Sequence, residues 1–402
     1  MAKSLILVVA ALVVACAPTE GTGSPDQTIP APSTSSIDAA ETVPVARGVV
    51  DVEDAIALRV ASGPDGSAWI AWSAEAGLSI ARMDINDATI GPPVNVSGAE
   101  RVMAHPIERP ALAIATDGTL YFAWISGLAD VRLATLDTTG RISEAIRVSG
   151  EPRHETVLVH MILTEEGSPV LSWLEDSTLS VAFADAEGVV IEHEGVDPRT
   201  CDCCHPVPIQ IGDEIGIGYR DATTIDGRTV RDVAFVTGGG KGQAFASPST
   251  IADEHWFLEG CPFSGPSVTS GDSGLVVAWM DGRQSLFPDQ DATAIWVDRS
   301  SDGITFGTDL RITEDDAIHR SPSLFTDAGG TIHLLWERRT REGASLEYTR
   351  SGDSANSFAD SIPLVGDGDG APREASIAVV DSRLLVSWAD NAGGHVGVWD
   401  LS

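Results

Sequence analysis

From about residue 46 onward the chain is written in short runs of alternating apolar and polar residues, broken by Asp/Gly turns and free of helical periodicity. One unit recurs: a β-rich run, a tight turn, then a second apolar run closing on an aromatic. The stretch Ala111-Leu-Ala-Ile-Ala-Thr-Asp-Gly-Thr-Leu-Tyr-Phe-Ala-Trp124 is the clearest copy. The closing aromatics are Trp72, Trp124, Trp173, Tyr219, Trp279, Trp336 and Trp388, spaced by 52, 49, 46, 60, 57 and 52 residues. A third alternating run follows most copies, as in Val131 to Leu136 or Ala294 to Asp298, and a fourth follows several, as in Ala145 to Val148. Self-similarity near 50 residues, with four short strands per unit, predicts an all-β fold of the β-propeller type.

The last unit ends at Ser402 after only three strands, while Pro44 to Val52 forms an unassigned β-rich run before the first unit. Paired, they complete one blade, with the N-terminal strand as its outer edge, so that no sheet edge is left open there. Seven blades is the count, with six as the competitor. The propeller is assigned to residues 46–402. Ahead of it, Lys3 and the apolar run Leu5 to Val14 form an export signal too short to span a bilayer. Its end, Val13-Val14-Ala15-Cys16, resembles the lipobox of bacterial lipoproteins, which implies cleavage after residue 15 and lipidation of Cys16. Residues 16–45, rich in Pro, Thr, Ser and Ala, read as a disordered tether. The expectation is an exported, extracytoplasmic monomer anchored by lipid to the cell membrane or outer membrane, with Ala17 weakly favouring the outer one.

Charge narrows the partners. There are 59 acidic residues against 25 basic ones, a net charge of −34, and only two of the basic residues are lysines. Such a surface repels nucleic acid and anionic headgroups, which excludes a nucleic-acid partner. The acidity serves solubility, or recruits cations.

Two turns bear on family. Ser300-Ser301-Asp302-Gly303-Ile304-Thr305-Phe306 and Ser351-Gly352-Asp353-Ser354-Ala355-Asn356-Ser357-Phe358 both resemble the Asp-box of bacterial neuraminidase repeats, also called BNR repeats. The resemblance implies a sialidase-like propeller in which Ser300, Asp302, Gly303, Thr305 and Phe306, and likewise Ser351, Asp353 and Phe358, hold structural hairpins away from the active face. True sialidase chemistry would further require an arginine triad, a tyrosine nucleophile with its glutamate, and an acid. The chain has three tyrosines, Tyr121, Tyr219 and Tyr348, and lacks the Phe/Tyr-Arg-Ile-Pro signature of that family. Arg109 and Arg320 precede first strands, but that placement is common in such repeats. Glycoside hydrolysis therefore stays an alternative, beside a non-catalytic scaffold that binds glycan or protein.

The distinctive chemistry is sulfur. Apart from Cys16, every cysteine lies in Cys201-Asp202-Cys203-Cys204-His205-Pro206 or in Gly260-Cys261-Pro262. These segments precede Val207 to Ile211 and Ser267 to Thr269, the first strands of blades four and five. Both thus fall in lead-in loops of neighbouring blades, on one face. Tyr219-Arg220-Asp221, Arg231-Asp232 and Asp281-Gly282-Arg283 are placed on that face by loops between second and third strands. The combined motifs resemble a subgroup of secreted sialidase-like repeat proteins carrying CDCC and GCP-x-x-GP. Three readings stay open: disulfides in an oxidising compartment, a soft or borderline metal ion such as copper or zinc, or a redox-active disulfide that exchanges with a partner thiol, the nearby arginines lowering a thiol pKa. For the metal, Cys201, Cys203, Cys204 and Cys261 are the ligands and His205 a further candidate, with Arg220, Asp221 and Arg231 around them. His205 and the Arg220/Asp221 pair equally suit structural hydrogen bonding. The loop Asp367 to Gly370 reads as a turn, not a calcium site.

Overall fold

Each repeat folds as one antiparallel sheet, because strands alternating every second residue must bury one or both faces against neighbouring sheets. The computed structural model describes residues 43–401 except 99, 128, 151–154, 186–189, 240–242, 253, 273, 284–291 and 367–369. Cys16, the export signal and nearly all of the tether lie outside the described residues, as does most of the loop at Asp367. Among the described residues there is no helix, and seven sheets of four or five strands follow one another along the chain. Blade four comprises Val207–Ile211, Glu214–Arg220, Val233–Gly238 and Ser249–Thr250. Blade five comprises Ser267–Gly271, Gly274–Asp281, Ala294–Ser300 and Leu310–Arg311.

Closure of the ring follows the expected route. Strand Val45–Val52 runs antiparallel to Gly394–Asp400, pairing Val45 with Asp400 and Val52 with Gly394. It is the outer strand of blade seven, whose other strands are Arg373–Val380 and Arg383–Ala389. One feature was not legible in the sequence. Blade four carries a small extra hairpin, Thr224–Ile225 with Arg228–Thr229, turning on Asp226 (φ 51°) and Gly227 (φ 77°) between its second and third strands. Two consecutive residues with positive φ give the tight turn that Asp-Gly favours.

The core is divided among the blade interfaces. Seven apolar clusters are found, each built from two adjacent blades, and each closing aromatic belongs to a different one. Trp124, Trp173, Tyr219, Trp279 and Trp336 are at most 1% exposed. The two Ser/Asp turns lie between third and fourth strands, at the ends opposite the lead-in loops. Asp302 Oδ1 accepts from the Ile304 and Thr305 N–H groups at 2.9 and 2.7 Å, and Ser300 Oγ accepts from the Gly303 N–H at 2.9 Å. Those donors, first among them the Thr305 N–H, hold the Asp302 carboxyl at about 2. Phe306 packs edge-on to Phe235 of blade four, ring centroids 5.7 Å apart. In the second turn Asp353 Oδ1 accepts from the Ser357 N–H at 3.0 Å, and Phe358 packs on the cluster between blades five and six.

Removing residues up to Val52 should lower stability to urea by several kcal/mol, on the order of 1 kcal/mol per ladder hydrogen bond lost. It should also promote self-association through the bared edge of Gly394–Asp400. Urea denaturation and size-exclusion chromatography test this; an unchanged midpoint in a monomeric product would mean the strand does not close the ring energetically.

Candidate metal centre

The two lead-in loops meet at a close approach of their backbones. In blade four's loop the Cys201 N–H donates to the Arg220 carbonyl at 2.9 Å, and the Cys204 N–H turns back to the Cys201 carbonyl at 3.3 Å. In blade five's loop Gly265 sits so close to this turn that a Cβ there would lie 2.5 Å from the His205 carbonyl oxygen. Only glycine permits that approach.

Arg220 fastens the junction. Its Nε donates to the Ser264 carbonyl at 3.0 Å, Nη1 to the Arg231 carbonyl at 2.5 Å and Nη2 to the Met280 carbonyl at 2.8 Å. The guanidinium is 1% exposed and lies 5.3 Å from the Trp256 ring centroid. Three backbone segments of two blades therefore depend on one planar, multi-donor cation. It does not pair with Asp221, which instead accepts from the Ala222 N–H at 2.6 Å. Burial raises the Asp221 carboxyl to about 6. Arg231 lies close enough to the sulfurs for its charge to act on Cys201.

All four sulfurs of Cys201, Cys203, Cys204 and Cys261 lie within 4.8 Å of one another. Cys203 and Cys261 are joined as a disulfide across the two loops, with Cα atoms 6.5 Å apart. Cys201 and Cys204 are free thiols, 1% and 2% exposed. Four of the five open separations are 3.3 Å (Cys201–Cys204), 3.4 Å (Cys201–Cys203), 3.8 Å (Cys203–Cys204) and 4.0 Å (Cys201–Cys261), and Cys204–Cys261 lies within 4.8 Å. A tetrahedral ion with metal–sulfur bonds of about 2.3 Å sets sulfur–sulfur edges of about 3.8 Å. The open separations bracket that value, so the donor set fits such an ion once the joined pair is reduced. The Cys204 thiol, donating to Cys201, draws Cys201 down to about 7, and Arg231 and Arg220 act in the same sense against the cost of burial. Burial pushes Cys204 the other way.

His205 is not within this sulfur group. Its Nε2 donates to the Ile107 carbonyl at 2.6 Å, and burial holds the ring neutral.

Outside the sulfurs opens a cavity of about 910 Å³. Cys203 and Cys261 line it, whereas Cys201 and Cys204 do not. Its wall carries the carboxylates of Glu75, Glu108, Glu155, Asp176 and Asp202 against Arg101 and His105. These residues come from lead-in loops and from loops after second strands of blades one to four, and apart from Asp202, which lies within the Cys201–Pro206 segment, sequence reasoning did not single them out. Glu108 is buried, accepts from the Leu158 N–H at 2.8 Å, and is raised by burial to about 7. That N–H is freed by a bulge in blade three's first strand, where Leu158 has φ 64°.

The arginines nearest a sialidase-like role have other work. Arg109 donates to the Ala375 carbonyl at 2.9 Å and faces Glu374 at 3.8 Å; Arg320 pairs with Glu337 at 3.0 Å. Arg59 donates to the Pro110 carbonyl at 2.8 Å and contacts His160 at 3.1 Å. The Tyr219 hydroxyl donates to Asp197 at 2.6 Å, Tyr348 contacts His333 at 2.7 Å, and no tyrosine lines the cavity.

No family model matches this sequence, and no curated protein is detectably similar to it. The fold is similar to solved propellers. The BP39L lectin from Burkholderia pseudomallei superposes with TM-score 0.62 at 11% identity, covering 87% of this chain and 97% of the lectin. An ulvan lyase, a polysaccharide lyase, superposes with TM-score 0.58 at 12% identity, covering 89% of this chain and 96% of the lyase. Drosophila semaphorin 1a superposes with TM-score 0.53 at 11% identity, covering 90% and 88%. At these identities the likeness establishes the β-propeller and nothing further.

Two outcomes follow from the buried charges. Arg220→Met should cost about 3 kcal/mol or more, since three buried carbonyls lose their donor; a loss within 0.5 kcal/mol in urea denaturation would deny it the fastening role. Glu108 has a folded pKa above its unfolded value, so its contribution is present below pH ~4.5 and is lost as pH rises through about 7. Glu108→Gln should leave stability to urea nearly unchanged at pH ~4 and raise it at pH 8, by on the order of 1–3 kcal/mol. Equal effects at both pH values would contradict this.

Proposed function

We propose that this protein is an exported metal-binding propeller whose reduced Cys201, Cys203, Cys204 and Cys261 hold a soft d10 cation, copper(I) foremost and zinc next. The observation carrying this reading is four sulfurs from two blades brought within 4.8 Å of one another. Thiolates of this kind select copper(I) or zinc over hard cations. Arg220 and Arg231 offset part of the charge that four thiolates would gather. The carboxylates on the cavity wall raise the local concentration of cations outside the sulfurs. The lipobox-like segment ending at Cys16 supports tethering at a membrane surface, where an incoming ion is met outside the cytoplasm.

A glycan partner is the second reading, and the lectin and lyase folds favour it. The acidic wall opposes an anionic sugar, and the arginines and tyrosines described above are committed to other contacts, which counts against sialic acid hydrolysis.

Anaerobically purified, fully reduced full-length protein should take up one copper(I) or zinc ion per chain by elemental analysis. Cys204→Ser should weaken binding at least 10-fold in chelator competition. A reduced protein that binds neither ion stoichiometrically, or a Cys204→Ser variant that binds as well as the parent, would end the proposal. Release of sialic acid from a fluorogenic substrate would move the assignment to the hydrolase class.

A further inference from the structure

The four cysteines are not equivalent, and the difference is one of access. Cys203 and Cys261 line the cavity of about 910 Å³, while Cys201 and Cys204 lie behind them at 1% and 2% exposure. Yet Cys201 and Cys204 have the Cys-x-x-Cys spacing common in redox-active pairs, and their sulfurs are 3.3 Å apart. The pair actually joined is the other one. Its Cα–Cα distance of 6.5 Å lies within the range a disulfide accepts, and it bridges loops 58 residues apart on two blades.

We infer that the centre is gated by thiol–disulfide exchange, in which a low-molecular-weight disulfide entering the acidic cavity oxidises Cys203 and Cys261 selectively and expels the bound ion. The gating rests on the metal-binding reading above; the choice of pair does not. The chemistry balances without another reactant. One cavity-lining thiolate attacks a sulfur of the incoming disulfide, forming a mixed disulfide and releasing one thiolate. The second cavity-lining thiolate then attacks the protein-side sulfur of that mixed disulfide and expels the other half. Two cysteine thiols are oxidised to one disulfide, one external disulfide is reduced to two thiols, and the two cysteine protons pass to the departing thiolates. Two of four ligands are thereby removed. The buried pair left behind cannot complete a four-sulfur shell, so affinity falls. Exposure therefore overrides spacing: the reagent reaches the pair on the wall, not the Cys-x-x-Cys pair beneath it.

The test uses the reduced full-length chain, metal-free and copper(I)-loaded, incubated with 2-hydroxyethyl disulfide, an uncharged small disulfide that the acidic wall does not repel. Free thiols are alkylated before and after unfolding, and disulfides are mapped by peptide mass spectrometry. In the metal-free chain, Cys203–Cys261 should be the predominant disulfide, with Cys201 and Cys204 alkylated only after unfolding. In the loaded chain, oxidation should be slowed at least tenfold, and copper should be lost in step with the disulfide formed. A predominant disulfide containing Cys201 or Cys204 would overturn the choice of pair. Stoichiometric copper retained after Cys203–Cys261 has formed would overturn the gating alone. Failure of the reduced chain to bind copper(I) would sink the metal reading and the gating with it, and leave only the mapped pair. A Cys203→Ser/Cys261→Ser variant with native tryptophan fluorescence should form no intramolecular disulfide under the same treatment; a disulfide between its remaining cysteines would also count against selective access.

Discussion

The structure depends on one contact made seven times: a buried aromatic from the second strand of each blade, packed against the blade before it. Trp72 does this between blades seven and one, Trp124 between one and two, and so on to Trp388 between six and seven. No blade could bury its own faces alone, since a single twisted sheet exposes both. Stability is thus lodged in nearest-neighbour interfaces, as in repeat proteins generally. A ring differs from an open array in having no terminal repeat. The strand from the chain's start on blade seven makes that possible, because it supplies the fourth strand the last repeat lacks.

The sulfur centre inherits its precision from one of those interfaces. Cys201, Cys203 and Cys204 belong to blade four's lead-in and Cys261 to blade five's, so the sulfurs stay together only while the two blades stay packed. The cluster containing Val207, Phe235, Val277 and Trp279 supplies the apolar half of that packing. Arg220 supplies the polar half, joining carbonyls at Arg231, Ser264 and Met280. Gly265 sets the minimum distance. A buried guanidinium bonded to neutral carbonyls also leaves its charge available to nearby sulfurs, where it favours thiolate over thiol.

Acidity takes on a local meaning beside this centre. A net charge of −34 is a property of the whole chain. The five carboxylates on the cavity wall concentrate it where the accessible sulfurs lie, and burial keeps Glu108 from being simply one more fixed negative charge. On the opposite side the Ser/Asp turns use carboxylates differently, as acceptors for their own backbone. The same residue type thus serves electrostatics on one face and turn geometry on the other.

The repeat spacing, the closing aromatics and the three-strand last unit were enough to give the propeller, the blade number and the closing strand, because alternation and turn chemistry are local properties of a sequence. They also put both cysteine loops on one face, since loop order follows strand order. What they could not give was distance. That Arg220 bonds three carbonyls instead of Asp221, that His205 donates to Ile107, and that Cys203 joins Cys261 while Cys201 and Cys204 lie buried are results of side-chain packing across an interface. The cavity wall was equally invisible in the sequence, because its carboxylates are scattered from Glu75 to Asp202 and are gathered only by the curvature of the ring. Sequence determined which residues carry the chemistry and which face they share; tertiary structure decided which of them touch, because contact across blades is set by packing and not by spacing along the chain.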